Sequence, residues 1–502
     1  MSEENTPATA AALLAAAGWK NQLSLSEAER EQMVQGHALL TEAVQVRPVY
    51  GVTQGFGPLA DHTADPDPKR QGMGLIDHLT VGQGRPLPPD VTRLMVWIRL
   101  RGMTHGHSGV EPGIWDQLAA QWNAGFTPVV PEDGSLSASG DLVPLAHAAQ
   151  AATGNGRAWT RSDDGTWRQL PARDDQERLG LTPVHWEARS ALAFVNGTSA
   201  SLARGLVNHV RLAALAHAAT AVTGRLAALL GCDPAPFGPE LAEVRGHPGH
   251  RTAAALIGRE FPDGARRNPA RPFQEPYSLR CAPQVIGAVL DQLRLQETIL
   301  VTEALGCTDN PVLVNGELHH GGNFHAAPVA LASEQHTVCI HQLAYLMERQ
   351  LALALDPHRN GGLPMLLAHE PGRTSGLAGV QIAATSHLAA IRQRAYPASC
   401  TPVPSNLDNQ DHVPLALNGT NAVADALDRA WWIVASAHHA LAAIHRLQGR
   451  PDESGRWGRL LTDVPVLTTD RPLAEETADL AARLEFEYSH PEDPFESEEW
   501  AP

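Results

Sequence analysis

The stretch Gly134-Ser135-Leu136-Ser137-Ala138-Ser139-Gly140-Asp141 constrains this chain more than any other. Within it, Ala138-Ser139-Gly140 sets three small residues in a row. Gly140 has no Cβ, so its amide nitrogen can approach the Ala138 carbonyl in a conformation that other residues avoid. Attack of that nitrogen with loss of water closes a five-membered ring. Loss of the Ser139 hydroxyl as a second water leaves an exocyclic methylidene on the ring, an electrophile made from the chain itself. The plainer alternative is a small-residue turn with Asp141 as N-cap of a helix over 142–152. Ala-Ser-Gly alone does not choose between the two.

Other motifs accompany it in order. They are Tyr50-Gly51-Val52-Thr53-Gln54-Gly55-Phe56-Gly57, Val195-Asn196-Gly197-Thr198 and Gln274-Glu275-Pro276-Tyr277-Ser278-Leu279-Arg280-Cys281, then Asp309-Asn310-Pro311, Gly321-Gly322-Asn323-Phe324 and Asn409-Gln410-Asp411. From about Leu23 to about Ala482 the chain resembles the aromatic amino acid ammonia-lyases and 2,3-aminomutases (histidine, phenylalanine and tyrosine members). Their prosthetic group is a 4-methylidene-imidazol-5-one (MIO). The resemblance implies that it forms from Ala138, Ser139 and Gly140, with no metal or external cofactor. It also implies a mainly α fold of the fumarase/aspartase-like type, a homotetramer, and active sites shared between subunits.

The residues have chemistry of their own. Gly-punctuated 50–57 cannot be a stable helix, and no Gly-Lys-Ser/Thr follows to make it a phosphate loop. Tyr50 beside such a loop suits a base, and the family uses the matching tyrosine to remove the β-proton. A free tyrosine titrates near pH ~10, so this role needs a phenol pKa depressed by positive potential, with Arg280 and helix N-termini as its expected sources. Arg280 offers a planar fork for a carboxylate. Asn196 and Tyr277 can donate to the ring's oxygen or bind the substrate amine, and Gln274, Phe324 and Asn409 match residues around the pocket.

His78-Leu79 bears on the substrate. Histidine-specific members tend to carry Ser-His there, phenylalanine-specific members Phe-Leu, and tyrosine-specific members His-Leu. An imidazole can pair a phenol hydroxyl that Phe would leave unpaired. Gln410 points the same way, since histidine-specific members commonly carry Glu. The expected reaction is therefore L-tyrosine to trans-p-coumarate and ammonia, with β-tyrosine formation by an aminomutase as the alternative, then phenylalanine or histidine as substrate. Departures from the family pattern stand at Gln54, Ser137, Glu275 and Pro414, and Asn406 lies where plant phenylalanine members have a carboxylate.

At 502 residues the chain exceeds the usual single-domain size. Three segments are expected: an N-terminal extension over 1–22 with a weakly docked Ala-rich helix, an MIO-bearing domain over 23–195, and a long-helix bundle over 196–502. Apolar residues at helical spacing predict long helices over 198–230, 282–304, 326–355, 377–394 and 413–446. A short hairpin is expected over 312–318 with an Asn-Gly turn, and another around 163–166 between Trp159 and Trp167. A net charge of −17 argues against nucleic-acid or anionic-membrane partners. Five widely spaced cysteines read as reduced thiols of a cytoplasmic protein. No apolar run is expected to span a membrane, and His247, His250, His319, His320 and His325 are not expected to bind metal.

Overall fold

The structure is a computed structural model; it describes residues 9–489 except 163, 402, 452, 463, 465 and 466. It is mainly helical, as expected, with three small antiparallel sheets among the described residues. The long helices are Ser199–Leu230, Ala282–Leu305, Ala327–Leu355, Ala378–Arg394 and Ala416–Leu447, each within three residues of its expected bounds.

Contacts divide the chain into two compact units. The first comprises Met1–Val207, Glu297–Glu334 and Pro397–Asn421, and the second Asn208–Gln296, Gln335–Tyr396 and Ala422–Pro502. The boundary expected between Val195 and Asn196 lies inside the first unit. Four of the five divisions fall within continuous helices, so no linker composition marks them.

In the first unit, the helix Pro89–Met103 is buried along nearly its whole length, including Arg93 and Arg99. Buried guanidinium groups need acceptors. Arg93 donates to the carbonyls of Ala17, Gly18 and Trp122, with its guanidinium 3.5 Å from the Trp122 ring centre. Arg99 donates to the carbonyls of Ala193 and Thr308. The Ala-rich helix, Ala10–Ala16, is better docked than its composition suggests. Ala10 and Leu13 are fully buried, and the Ala10 N–H bonds Glu297 Oε1 at 2.8 Å.

Both expected hairpins form. Val312–Val314 pairs with Glu317–His319 around Asn315 and Gly316, both at positive φ. Arg157–Arg161 pairs with Trp167–Pro171; Asp163 in its turn lies outside the described residues. The second unit is organised on one apolar core built from Leu215, Val222, Ile286, Leu293, Ile340, Met347, Trp431 and Leu441. One helical stretch, 188–230, is apolar enough in length and composition to cross a membrane, contrary to expectation, but 83% of its most apolar window is buried inside the protein.

The helix Glu27–Val46 begins with a reciprocal cap in which Ser26 N–H and Oγ both donate to Glu29. Burial raises the Glu29 carboxyl, but the Ser26 donors and then Arg101 outweigh it and hold the pKa at about 2 instead of 4.5. A depressed carboxylate stabilises the fold above its ordinary pKa, and that contribution is lost as pH falls through the folded value. The stability gap between wild type and Glu29→Gln is therefore expected to be full above pH 4.5 and to shrink toward pH 2. Denaturant unfolding across that range measures it.

Candidate active site

The segment around Ala138-Ser139-Gly140 is held by one buried carboxylate. Asp141 does precede the helix Leu142–Ala152, but its side chain makes no capping bond there. Instead Oδ2 accepts the Ser201 N–H at 2.7 Å and the Ser201 hydroxyl at 2.8 Å, near the start of the helix Ser199–Leu230. Oδ1 accepts the hydroxyls of Ser135 at 3.0 Å and Ser137 at 2.7 Å. Burial pushes the Asp141 carboxyl up, and these four donors oppose it. Asp141 keeps the N-cap position of the plainer alternative, but its carboxylate serves a helix 60 residues away, where unpaired N–H groups and the helix dipole favour an anion.

Ser137, which stands where the family often has Gly, sits at φ +57°, a conformation costly for a residue with a Cβ. Its hydroxyl gives the compensation. It donates to Asp141 and accepts the Leu417 N–H at 3.1 Å, at the start of the helix Ala416–Leu447. The Ser137 carbonyl accepts the Ala326 N–H, just before the helix Ala327–Leu355. Three helix N-termini therefore bond this one segment.

Within the tripeptide, the Ser139 carbonyl accepts Asn196 Nδ2–H at 2.7 Å. Its hydroxyl accepts Gln410 Nε2–H at 2.9 Å, and Gln410 Oε1 in turn accepts the Ser405 hydroxyl at 3.0 Å. Gly140 lies at φ +72°, and a Cβ there would stand 2.5 Å from the Gly197 backbone nitrogen. Only glycine fits. These residues suit the imidazolone: the Ser139 carbonyl, which would become the ring's oxygen, already has its donor, and the Gly140 backbone is bent and confined.

A cavity of about 880 Å³ opens over Ser139, lined also by Tyr50, Phe56, His78, Leu79, Asn196 and Gln410. His78 and Leu79 end the helix Pro68–Leu79. His78 Nδ1 lies 2.9 Å from the Gly74 carbonyl, which can only accept, so Nδ1 carries a proton, and in the neutral ring it is Nε2 that holds the lone pair. The Tyr50 hydroxyl accepts the Gly57 N–H at 2.8 Å. The expected lowering of its pKa is not found: burial raises it, and the Gly57 N–H only partly opposes this.

Gln274, Tyr277 and Arg280 are not among the residues lining this cavity; they line a cleft of the second unit, with Tyr345 and Arg349. There the Arg280 guanidinium lies 5.0 Å from the Tyr277 ring centre, and its buried Nε has no hydrogen-bond partner among the described residues. Phe324 and Asn409 belong to the first unit but do not line the cavity either. Sequence reasoning missed Ser135, Ser201 and Ser405, because a serine's value here lies in a partner distant in sequence or already engaged. Two departures have structural uses. Turned toward the Ala60 and His62 carbonyls, the Gln54 amide donates to both, and Glu275 pairs through both oxygens with buried Arg271. Nothing in the structure explains Pro414.

Asp141→Ala leaves buried donors of Ser135, Ser137 and Ser201 unpaired, at about 1–3 kcal/mol each where no other acceptor replaces the carboxylate. A loss of about 3 kcal/mol or more in unfolding free energy is expected, read by chemical denaturation, with a smaller loss for Asp141→Asn, which keeps an acceptor.

The fold and the sequence both have known relatives. A solved tyrosine aminomutase from Streptomyces globisporus is 30% identical, over 96% of this chain and 96% of its own, with a TM-score of 0.86. Histidine ammonia-lyase from Trypanosoma cruzi (24% identity, 98% and 95% covered, TM-score 0.85) and Pantoea agglomerans phenylalanine aminomutase (23%, 96% and 98%, 0.88) share the fold. The aromatic amino acid lyase profile matches residues 8–464. With that match, the chain belongs to the aromatic amino acid lyase family, MIO-dependent carbon–nitrogen lyases and aminomutases.

Proposed function

We propose that this enzyme removes ammonia from L-tyrosine to give trans-p-coumarate, at an MIO group formed from Ala138, Ser139 and Gly140. The observation that carries the substrate reading is His78. Its Nδ1–H is committed to Gly74, so its Nε2 lone pair remains for a phenol O–H, on a ring lining the same cavity as Ser139. A phenylalanine at this position would leave that hydroxyl unpaired.

Once formed, the imidazolone supplies an electrophile for the substrate's amino group. The chain's own residues then divide the work. Asn196 draws electron density from the Ser139 oxygen. Tyr50 takes the β-proton, and the Gly57 N–H bonded to its oxygen stabilises the phenolate. Because burial raises the Tyr50 pKa, further positive potential is needed, and we assign it to the N-termini of the three helices bonded to the 135–141 segment and to Arg280. Arg280 binds the α-carboxylate, and Gln274 and Tyr277 accompany it. Since these three line a separate cleft, we place them in the site from another copy of the chain, in a homotetramer. Leu79 and Gln410 complete the pocket. Five unpaired cysteines suit the cytoplasm.

A second reading, tyrosine 2,3-aminomutase, is favoured by the 30% identity to a tyrosine aminomutase. In it, ammonia re-adds at the β-carbon before the acid leaves.

Purified enzyme incubated separately with L-tyrosine, L-phenylalanine and L-histidine, read by chiral LC–MS, distinguishes these. Coumarate and ammonia without β-tyrosine are expected; early β-tyrosine would select the aminomutase, and urocanate would overturn the His78 argument. Intact mass is expected to be two waters below that of the translated chain. Ser139→Ala should restore one or both waters and abolish turnover. Tyr50→Phe should abolish turnover while leaving the mass deficit in place. His78→Phe should shift the tyrosine-to-phenylalanine ratio of kcat/KM toward phenylalanine by about tenfold to hundredfold; an unchanged ratio removes His78 from the specificity argument.

A further inference from the structure

The loop that carries Tyr50 is held from one side by the small hairpin that precedes the Gly-Gly-Asn-Phe motif. Val49 is fully buried against Leu313 and Leu318 of that hairpin, together with Leu40. Val49 also gathers the loop around itself: its carbonyl accepts the N–H groups of Val52, Thr53 and Gln54, and its own N–H bonds the Thr53 hydroxyl. The next residue, Tyr50, gives its backbone N–H to His320 Nε2 at 3.3 Å, immediately after the hairpin strand Glu317–His319. The hairpin is itself fixed, since the Leu313 N–H bonds the His107 carbonyl and the Gly321 N–H bonds Asn310 Oδ1. One face thus holds the root of the loop by apolar packing and its functional residue by a single polar bond.

We propose that His320 is a positioning residue that latches the Tyr50 loop, and that protonation of His320 releases the latch. The bond has one possible direction. A backbone N–H can only donate, so Nε2 must carry a lone pair, which an imidazolium lacks. The latch therefore exists only while His320 is neutral. Partial burial against its neighbours, followed by the facing charges of Arg47 and Arg189, holds its pKa below the ordinary 6.5. Those arginines come from the end of the helix Glu27–Val46 and from the helix Ala188–Val195, and His319, next along the chain, lies 3.8 Å from Glu317. With a depressed pKa, the neutral and bonded form persists at neutral pH. It is lost as pH falls through the folded-state value. His320 is exposed, so solvent protons reach it directly.

The proposal rests on the reading of Tyr50 as the base for its bearing on catalysis, but the latch is measured without turnover. Hydrogen–deuterium exchange of the peptide covering residues 49–57 is compared in wild type, His320→Ala and His320→Gln, with each rate corrected for the intrinsic chemical exchange at that pH. At neutral pH, His320→Ala is expected to exchange about three- to tenfold faster than wild type, the effect of one hydrogen bond. His320→Gln keeps an acceptor that does not titrate, and it is expected to restore protection. As pH is lowered stepwise below 6.5, wild type is expected to approach the Ala variant while the Gln variant does not. In activity, kcat/KM is expected to fall in His320→Ala by a similar factor and to recover in His320→Gln, with the acid limb of the pH profile moved to lower pH. Equal protection in wild type and His320→Ala, or a Gln variant that behaves like Ala, would overturn the latch. A latch seen in exchange beside an active Tyr50→Phe would instead overturn the role of Tyr50 as base and leave the latch standing.

Discussion

The carboxylate of Asp141 is the interaction on which the site depends. A fully buried anion is costly unless donors surround it, and here four do. They come from Ser135 and Ser137 on its own segment and from Ser201 on a distant helix. The carboxylate thereby ties the bend around Ala138-Ser139-Gly140 to the start of the helix Ser199–Leu230. Through the Ser137 hydroxyl, the same network reaches the helix Ala416–Leu447. Residues far apart in sequence are brought to one place because their unpaired N–H groups need the same acceptors.

Around this fixed centre the structure keeps conformations that would not persist alone. Ser137 stays at positive φ because its hydroxyl has two partners. Gly140 bends against the Gly197 backbone, and Gly197 has no room for a side chain because the Arg99 guanidinium lies against it. Arg99 is held by the Ala193 and Thr308 carbonyls. Arg189 meets Asp309 at 2.6 Å, so the Val195-Asn196-Gly197 and Asp309-Asn310-Pro311 motifs brace one another through buried arginines. The Tyr50 loop is held differently, by the apolar packing of Val49 and Val52 and by one exposed histidine.

Much of this was legible in the sequence, for particular reasons. The long helices were readable because their apolar residues recur at helical spacing over many turns. The Asn315-Gly316 hairpin was readable because that pair favours positive φ at both central turn positions. His78, Leu79, Ser139, Asn196 and Gln410 line one cavity with Tyr50, although they lie up to several hundred positions apart. The docking of the Ala-rich helix was not readable, since alanine carries little local signal and the acceptor for Ala10 is Glu297. The raised pKa of Tyr50 was not readable either, because burial is a property of the folded chain.

The sequence by itself determined the chemistry available: a Ser between an Ala and a glycine that can bend, a tyrosine beside a Gly-punctuated loop, and an imidazole at His78. These are local covalent facts, and no fold changes them. Only the tertiary structure decided what Asp141 does, which nitrogen of His78 carries a lone pair, and that Arg280 lines a different cleft from Ser139. Each of those depends on hydrogen-bond partners or burial supplied from elsewhere. Asp141 shows the difference most directly: its position in sequence suggests the cap of the next helix, but its buried carboxylate goes where the unpaired donors are.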